Sequence, residues 1–230
     1  MSAPTLAPLG TELLDDPAAD PATVARSLGD LVRANWWFGG RAAALWGIDR
    51  LLRDVPRDRT VLLLDVGTGT GDLPSAAIRR AARGGRTLCA IGLERSPVAA
   101  ALTARRGLPV VLACAGRMPV RAGAVDIVLI SQVAHHLSAD AAVDLFRTAS
   151  GVARIGVVVA DLRRSEMAVR AFRIGSAALG FDAVTRADGI TSVRRGYLPG
   201  ELAALAARAG HSAEVRRRPG FRLVATWQTR

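Results

Sequence analysis

From residue 60 onward the chain alternates between two textures. Short apolar runs rich in Val, Leu and Ile are separated by Ala/Arg-rich stretches whose apolar positions recur at helical spacing. That alternation predicts parallel strands joined by crossover helices. Strands are expected over 60–66, 87–93, 109–113, 125–130 and 155–160, and helices over 72–83, 97–106 and 139–149, the last capped by Ser138. After a stretch of weaker signals, 162–197, a helix over 199–209 opens with Pro199 and stops at Gly210, the usual asymmetry of helix ends. Residues 211–217 and 221–227 then read as two strands. The link between them, Arg218-Pro219-Gly220, is too short for a parallel crossover, so the last strand runs antiparallel to the rest. The expected fold is α/β, a doubly wound seven-stranded sheet with an antiparallel last strand.

Ahead of the sheet lie a Pro/Ala/Asp-rich stretch over 1–20, expected to be a flexible tail, and helices over 22–34 and 41–53. Between those helices sits Asn35-Trp36-Trp37-Phe38-Gly39-Gly40. Nothing repeats internally. No linker divides the rest, so residues 57–230 form one domain with 21–56 attached.

Composition narrows the class. The 230 residues are 50% hydrophobic, enough for a sizeable core. No apolar run approaches the roughly 20 residues of a membrane helix, and the N-terminus carries Glu12, Asp15, Asp16 and Asp20 before its first basic residue, Arg26. No membrane contact and a cytoplasmic address are expected. Cys89 and Cys114 each sit in an apolar segment without paired spacing, so no disulfide framework and no metal site are expected, and both are assigned to the core. The net charge of +11 invites a nucleic-acid reading. Every basic residue is Arg, however, scattered in ones and twos apart from Arg216-Arg217-Arg218, and aromatic residues make up only 4%. A solvated basic face is favoured and a nucleic-acid partner disfavoured.

The chemistry is concentrated in residues 60–74, TVLLLDVGTGTGDLP. A dinucleotide fingerprint starting at Gly67 needs a third glycine at position 72, where Asp72 stands, and no Gly-Lys-Ser/Thr follows for a Walker loop. Asp65 and Asp72 flank the helix start, so a pyrophosphate there meets two negative charges. The loop suits a cationic ligand that lies against bare backbone. Its strand ending in acid-x-Gly-x-Gly-x-Gly resembles the first motif of the class I, seven-stranded S-adenosylmethionine-dependent methyltransferases, small-molecule type. The resemblance extends to Glu94 at the tip of the second strand, where the family keeps an acid for the ribose hydroxyls. It continues through Cys114-Ala115-Gly116-Arg117-Met118-Pro119-Val120 and Asp126 to Leu137, and covers about residues 60–230.

The resemblance implies S-adenosyl-L-methionine as cofactor, held by Asp65, Gly67, Thr68, Gly69, Gly71, Glu94, Arg95, Cys114, Ala115, Gly116 and Ser131. Cys114 departs from the family pattern, because relatives usually place there an Asp that meets the adenine amino group. Backbone N–H groups near Ala115 and Gly116, with contact from Arg95 and Met118, then carry adenine, and somewhat weaker affinity is expected. His135 and His136 follow the fourth strand at the methyl-donating edge, where either imidazole can serve as base or simply pack. Asp161 leaves the fifth strand at the same edge, to orient a substrate hydroxyl or a His, or to pair with Arg163 or Arg164. His211 is expected to be structural.

The Asn35–Gly40 motif resembles lid segments of quinone and phenol methyltransferases, which makes 21–56 an N-terminal helical lid and 162–197 a substrate-side insertion. Asn35, Trp36, Trp37, Phe38, Arg163 and Phe172 are the expected substrate-binding residues. Trp36, Trp37 and Trp46 either roof the substrate or anchor the helix pair, while Met167, Phe172, Phe181 and Tyr197 supply a second wall. The Asn/Asp-Pro-Pro-Tyr/Phe motif of amino-methylating relatives is absent, Ile130-Ser131-Gln132-Val133 standing in its place. A cysteine mechanism is disfavoured because Cys89 lies inside a strand. The expected reaction is O-methylation of a small aromatic, phenolic or polyketide-like metabolite of secondary metabolism, by a monomer or homodimer. C-methylation of a quinone precursor and RNA methylation are the alternatives.

Overall fold

A computed structural model describes Glu12, Asp16 and residues 18–229. Most of the tail expected over 1–20 therefore lies outside the described residues. The elements run α1 (Pro21–Trp37), α2 (Gly40–Leu51), β1 (Val61–Val66), α3 (Asp72–Arg83), β2 (Leu88–Glu94), α4 (Pro97–Arg105), β3 (Val110–Leu112), β4 (Val125–Ser131), α5 (Ala139–Val152), β5 (Ala153–Leu162), α6 (Glu166–Ala178), α7 (Ala183–Arg195), α8 (Pro199–Arg208), β6 (Glu214–Arg218) and β7 (Arg222–Gln228). The seven strands form one sheet in the order β3-β2-β1-β4-β5-β7-β6. β1 to β5 are parallel, and β7 runs antiparallel between β5 and β6.

The strands of the centre are almost continuously apolar because helices cover both faces. One face packs Leu64, Val128 and Ile130 against Phe146 of α5 and Leu202 and Leu205 of α8. The other packs Leu63, Ile127 and Leu129 against Ala43, Ala44 and Ile48 of α2 and Ala77 of α3. Gly47 lets α2 approach this face closely, since a Cβ there would overlap Val158 Cγ1. Ser96 and Ser138 cap α4 and α5 as acceptors from Ala99 and Ala141 N–H.

The stretch over 162–197 with weak signals contains two helices, α6 and α7. Their sequences explain the weak signal. α7 buries only Thr185, Val193 and Arg195, so its covered face carries almost no apolar stripe. α1 braces this pair: Ser27 meets Thr185, the Asp30 carboxylate accepts from Asp182 N–H, and Phe38 packs on Phe172 and Phe181.

Two core assignments and one wall assignment are corrected. Cys89 and Cys114 are both exposed. Cys89 alternates along β2 with buried Leu88 and Ala90, so the pleat turns it to the opposite, uncovered side. Tyr197 does not line a wall: it is 0% exposed and its hydroxyl donates to the Ala134 carbonyl at 2.7 Å, fixing the turn that carries the histidines.

Candidate functional site

Strand order reverses between β1 and β4, and ligands of open parallel sheets bind outside the strand ends at such a point. Gly67, Gly69 and Gly71 follow β1 with φ of 69°, 60° and 74°, the left-handed conformation that disfavours any side chain. Space adds a second constraint at Gly67, where a Cβ would stand 2.5 Å from Val133 Cγ2. Gly92 makes room for Thr68, whose hydroxyl donates to Asp65 Oδ2 at 2.8 Å. The other carboxylate oxygen of Asp65, Oδ1, is buried without a hydrogen-bond partner among the described residues, as is Ser131 Oγ. Burial pushes the Asp65 carboxyl up to about 8, opposed by the Thr68 hydrogen bond.

Glu94 ends β2 and is pinned by backbone donors. Its Oε2 accepts from Gly69 N–H at 2.9 Å, and its Oε1 from Arg95 and Ser96 N–H at 2.8 and 2.9 Å. A carboxylate has about four acceptor positions, so Glu94 holds the glycine loop in shape as well as keeping capacity for a hydroxyl. Ala115 and Gly116 lie in a short turn, Ala115–Arg117, beside exposed Cys114. Met118 is buried in the core. The residues present fit a cationic nucleoside cofactor: bare left-handed backbone, an orphaned buried carboxylate oxygen and a second acid at the next strand tip.

The two histidines separate. His135 is 4% exposed, and its Nδ1 lies 2.7 Å from Asp161 Oδ1. Its Nε2 is buried without a partner among the described residues. Asp161 therefore pairs with His135 rather than with Arg163 or Arg164, and although burial pushes its carboxyl up, the histidine and the Leu162 N–H bring it below the ordinary carboxylate range. His136 stacks on His135 at 4.2 Å but turns toward Glu12, with Nε2 3.9 Å from Glu12 Oε2 and Nδ1 3.4 Å from Arg195 Nη1.

Several residues here escaped the sequence reading. Gln132 has φ 54°, a rare conformation outside glycine, and donates to Asn35 Oδ1 while accepting from Arg222 Nη1 at 2.8 Å. Arg222 is 4% exposed; burial pulls it down to about 10, with Asp161 working against the shift. Glu12, from the expected tail, reaches Arg195 and Ser192. Chain distances of 90 to 183 residues separate these partners, and no local pattern encodes such pairings.

The expected substrate residues are spread unevenly. Asn35 accepts from Gln132, Phe38 packs against the α1/α6/α7 cluster in which Phe172 is 9% exposed, and Arg163 lies 5.2 Å over the Phe221 ring. Trp36 and Trp37 are 61% and 64% exposed, so neither anchors the helix pair to the sheet. Trp46 stacks under Arg218, and His211 stacks on Trp227. A ring nitrogen of each histidine and the Glu12 carboxylate lie within 4.8 Å of one another, a spacing a divalent ion can bridge. The Arg195 guanidinium on Glu12 opposes a cation there.

Residues 64–160 match the family model described as a methyltransferase domain. No curated protein sequence matches. A S-adenosylmethionine-dependent methyltransferase from Aquifex aeolicus is 15% identical, with a TM-score of 0.61 over 92% of this chain and 99% of that one. PigF, solved with S-adenosylhomocysteine, is 18% identical (TM-score 0.63, 94% and 62% covered). The CurJ carbon methyltransferase is 12% identical (TM-score 0.64, 94% and 63% covered). Residues 64–160 thus match a methyltransferase domain, and the seven-stranded sheet built around that segment has the class I methyltransferase fold.

Proposed function

We propose that the chain makes methyl ethers on the hydroxyl of a small phenolic or polyketide-like acceptor, with His135 as base. The observation that carries this reading is the buried His135–Asp161 pair at the ends of β4 and β5, engaged through Nδ1 and unengaged at Nε2. Asp161 accepting from Nδ1–H selects the tautomer whose Nε2 takes a proton, and stabilises the imidazolium that results. S-adenosylmethionine supplies, when bound, a methyl carbon activated by the sulfonium. Nε2 would take the acceptor's hydroxyl proton, leaving the oxygen free to receive the methyl group, and Asp161 would hold the imidazolium in place.

Asp65, Ser131 and the Gly67–Gly71 backbone are assigned to the amino-acid end of the cofactor, Glu94 to the ribose, and Arg95 with Ala115 and Gly116 to adenine. α1 supports a lid role, since Val24 and Leu28 pack on Ala99 of α4 and Leu28 lies against Gly69. The α6–α7 pair closes the other side, and exclusion of water strengthens the charge interactions within. C-methylation uses the same deprotonation, with attack from a ring carbon of the phenolate. RNA as acceptor is disfavoured because the Arg-rich C-terminal stretch is engaged internally: Arg216 pairs with Glu214, Arg218 stacks on Trp46 and Arg222 is buried.

Methyl transfer to phenols of graded acidity tests the reading. His135→Gln is expected to slow transfer to weakly acidic phenols about 10²- to 10⁴-fold and to spare acidic ones. An equal effect across the series removes the base role.

A further inference from the structure

Beside the His135–Asp161 pair lies a second buried charged cluster that the reaction above does not use. Glu12 is 5% exposed. Its Oε1 accepts from Arg195 Nη1 at 2.7 Å, and its Oε2 from Ser192 Oγ at 2.9 Å. Both donors belong to the last turn of α7, and Arg195 is itself 4% exposed. His136 joins from the other side, 3.9 Å from the same carboxylate and in ring contact with His135.

A guanidinium this deeply buried needs an anion, because leaving it unpaired is far more costly than exchanging one carboxylate for another. The donor set is suited to that exchange, with a charged donor, a hydroxyl and an imidazole converging on two oxygens. The present carboxylate comes from residue 12, which precedes the first helix and belongs to none of the elements that build the site. It lies within 4.8 Å of the histidine pair, and the methyl-ether reading brings the acceptor's hydroxyl to that pair.

We propose that Arg195, Ser192 and His136 form a carboxylate subsite for the acceptor, with Glu12 as its resting occupant. The substrate class is then a hydroxyaromatic acid or similar compound, with a carboxylate adjoining the hydroxyl that is methylated. This deepens the methyl-ether reading and rests on it. An acceptor carboxylate displaces Glu12 like for like, and its hydroxyl is thereby carried to His135.

Calorimetry with salicylate and with phenol, on the full chain saturated with S-adenosylhomocysteine and in the presence of EDTA, tests the subsite. The wild-type chain is expected to bind salicylate at least about tenfold more tightly than phenol. Glu12→Gln removes the competing charge, and the salicylate-to-phenol ratio is expected to rise a further tenfold or so. Arg195→Met is expected to abolish the preference. Ser192→Ala, which leaves the buried ion pair intact, is expected to reduce it severalfold. Equal binding of salicylate and phenol by the wild-type chain overturns the subsite, as does an unchanged or lower ratio in a Glu12→Gln chain that retains the nucleoside. A preference seen only without EDTA transfers the carboxylate to a bound metal and also overturns it. Failure of the wild-type chain to bind S-adenosylhomocysteine is a separate result, and removes the methyltransferase reading itself.

Discussion

Asp65 is legible in the sequence as the acid that ends β1, but its electrostatic state is not. Enclosure by the sheet raises its carboxyl to about 8. Between the ordinary carboxylate range and that value the folded chain holds a proton that the unfolded chain releases. The associated stability is therefore fully present in acid and is lost as pH rises toward about 8. In the proposed assignment of Asp65 to the cofactor, a cationic group beside Oδ1 would favour the ionised form and expel that proton. Affinity for S-adenosylhomocysteine is expected to rise by at most about tenfold per pH unit below about pH 8 and to level off above it. Titrations in buffers of different ionisation enthalpy should show proton release on binding, and Asp65→Asn should abolish both effects. Cys114 stands exposed where an acid is usual, so Cys114→Asp is expected to tighten cofactor binding about fivefold, the worth of one added hydrogen bond. A calorimetric titration with no gain contradicts the assignment of adenine to this position. The histidine pair was legible as a doublet; which member hydrogen-bonds to Asp161, on another strand, was not.

At the scale of elements, the Gly39-Gly40 pair reads as a turn between helices, and its physical reason lies across the molecule. Gly39 and Gly220 lie back to back. Both have φ of 75°, a Cβ on Gly39 would stand 2.6 Å from the Pro219 carbonyl oxygen, and one on Gly220 would overlap the Phe38 carbonyl. The β6–β7 hairpin is in this way docked on the α1–α2 turn, and Arg222 adds a hydrogen bond to the same Phe38 carbonyl at 2.9 Å. Gly220→Ala is expected to cost about 1–3 kcal/mol through strain and overlap together, read as a lower denaturant midpoint at unchanged m-value. Helices with an apolar stripe were found from the sequence: α3 to the residue, and α5 from its first residue, though it runs three residues further than expected. α7 was not, because it is covered by α1 through polar contacts and by Glu12 through an ion pair, which leave no periodic apolar signal.

For the whole molecule, no described helix is long and apolar enough to cross a membrane. The sheet is tied at the edge opposite the site by Asp126. It accepts from Leu62 N–H at 2.9 Å, from Arg59 at 2.6 Å and from Arg154 at 2.9 Å, so β1, β4 and β5 share one carboxylate. Burial opposes ionisation there, but the Arg154 hydrogen bond and the remaining partners hold the carboxyl below its usual range. Its contribution is present above the ordinary carboxylate pKa and disappears as pH falls through the lowered value, the reverse of Asp65. Asp126→Asn is expected to lower the melting temperature at neutral pH and to flatten its decline in acid, which melts across about pH 3–7 would read. An unchanged acid limb contradicts it. The sequence by itself determined the strand and helix rhythm, the hairpin that reverses β7, and the glycine loop with its two acids, because each is written in neighbouring residues through hydrophobic period and backbone freedom. Only the tertiary structure decided which histidine meets Asp161, why Gln132 bridges Asn35 and Arg222, and how Glu12 reaches Arg195. Those pairings close over long loops of chain, and the burial that makes them strong exists only once the sheet and its covering helices have assembled.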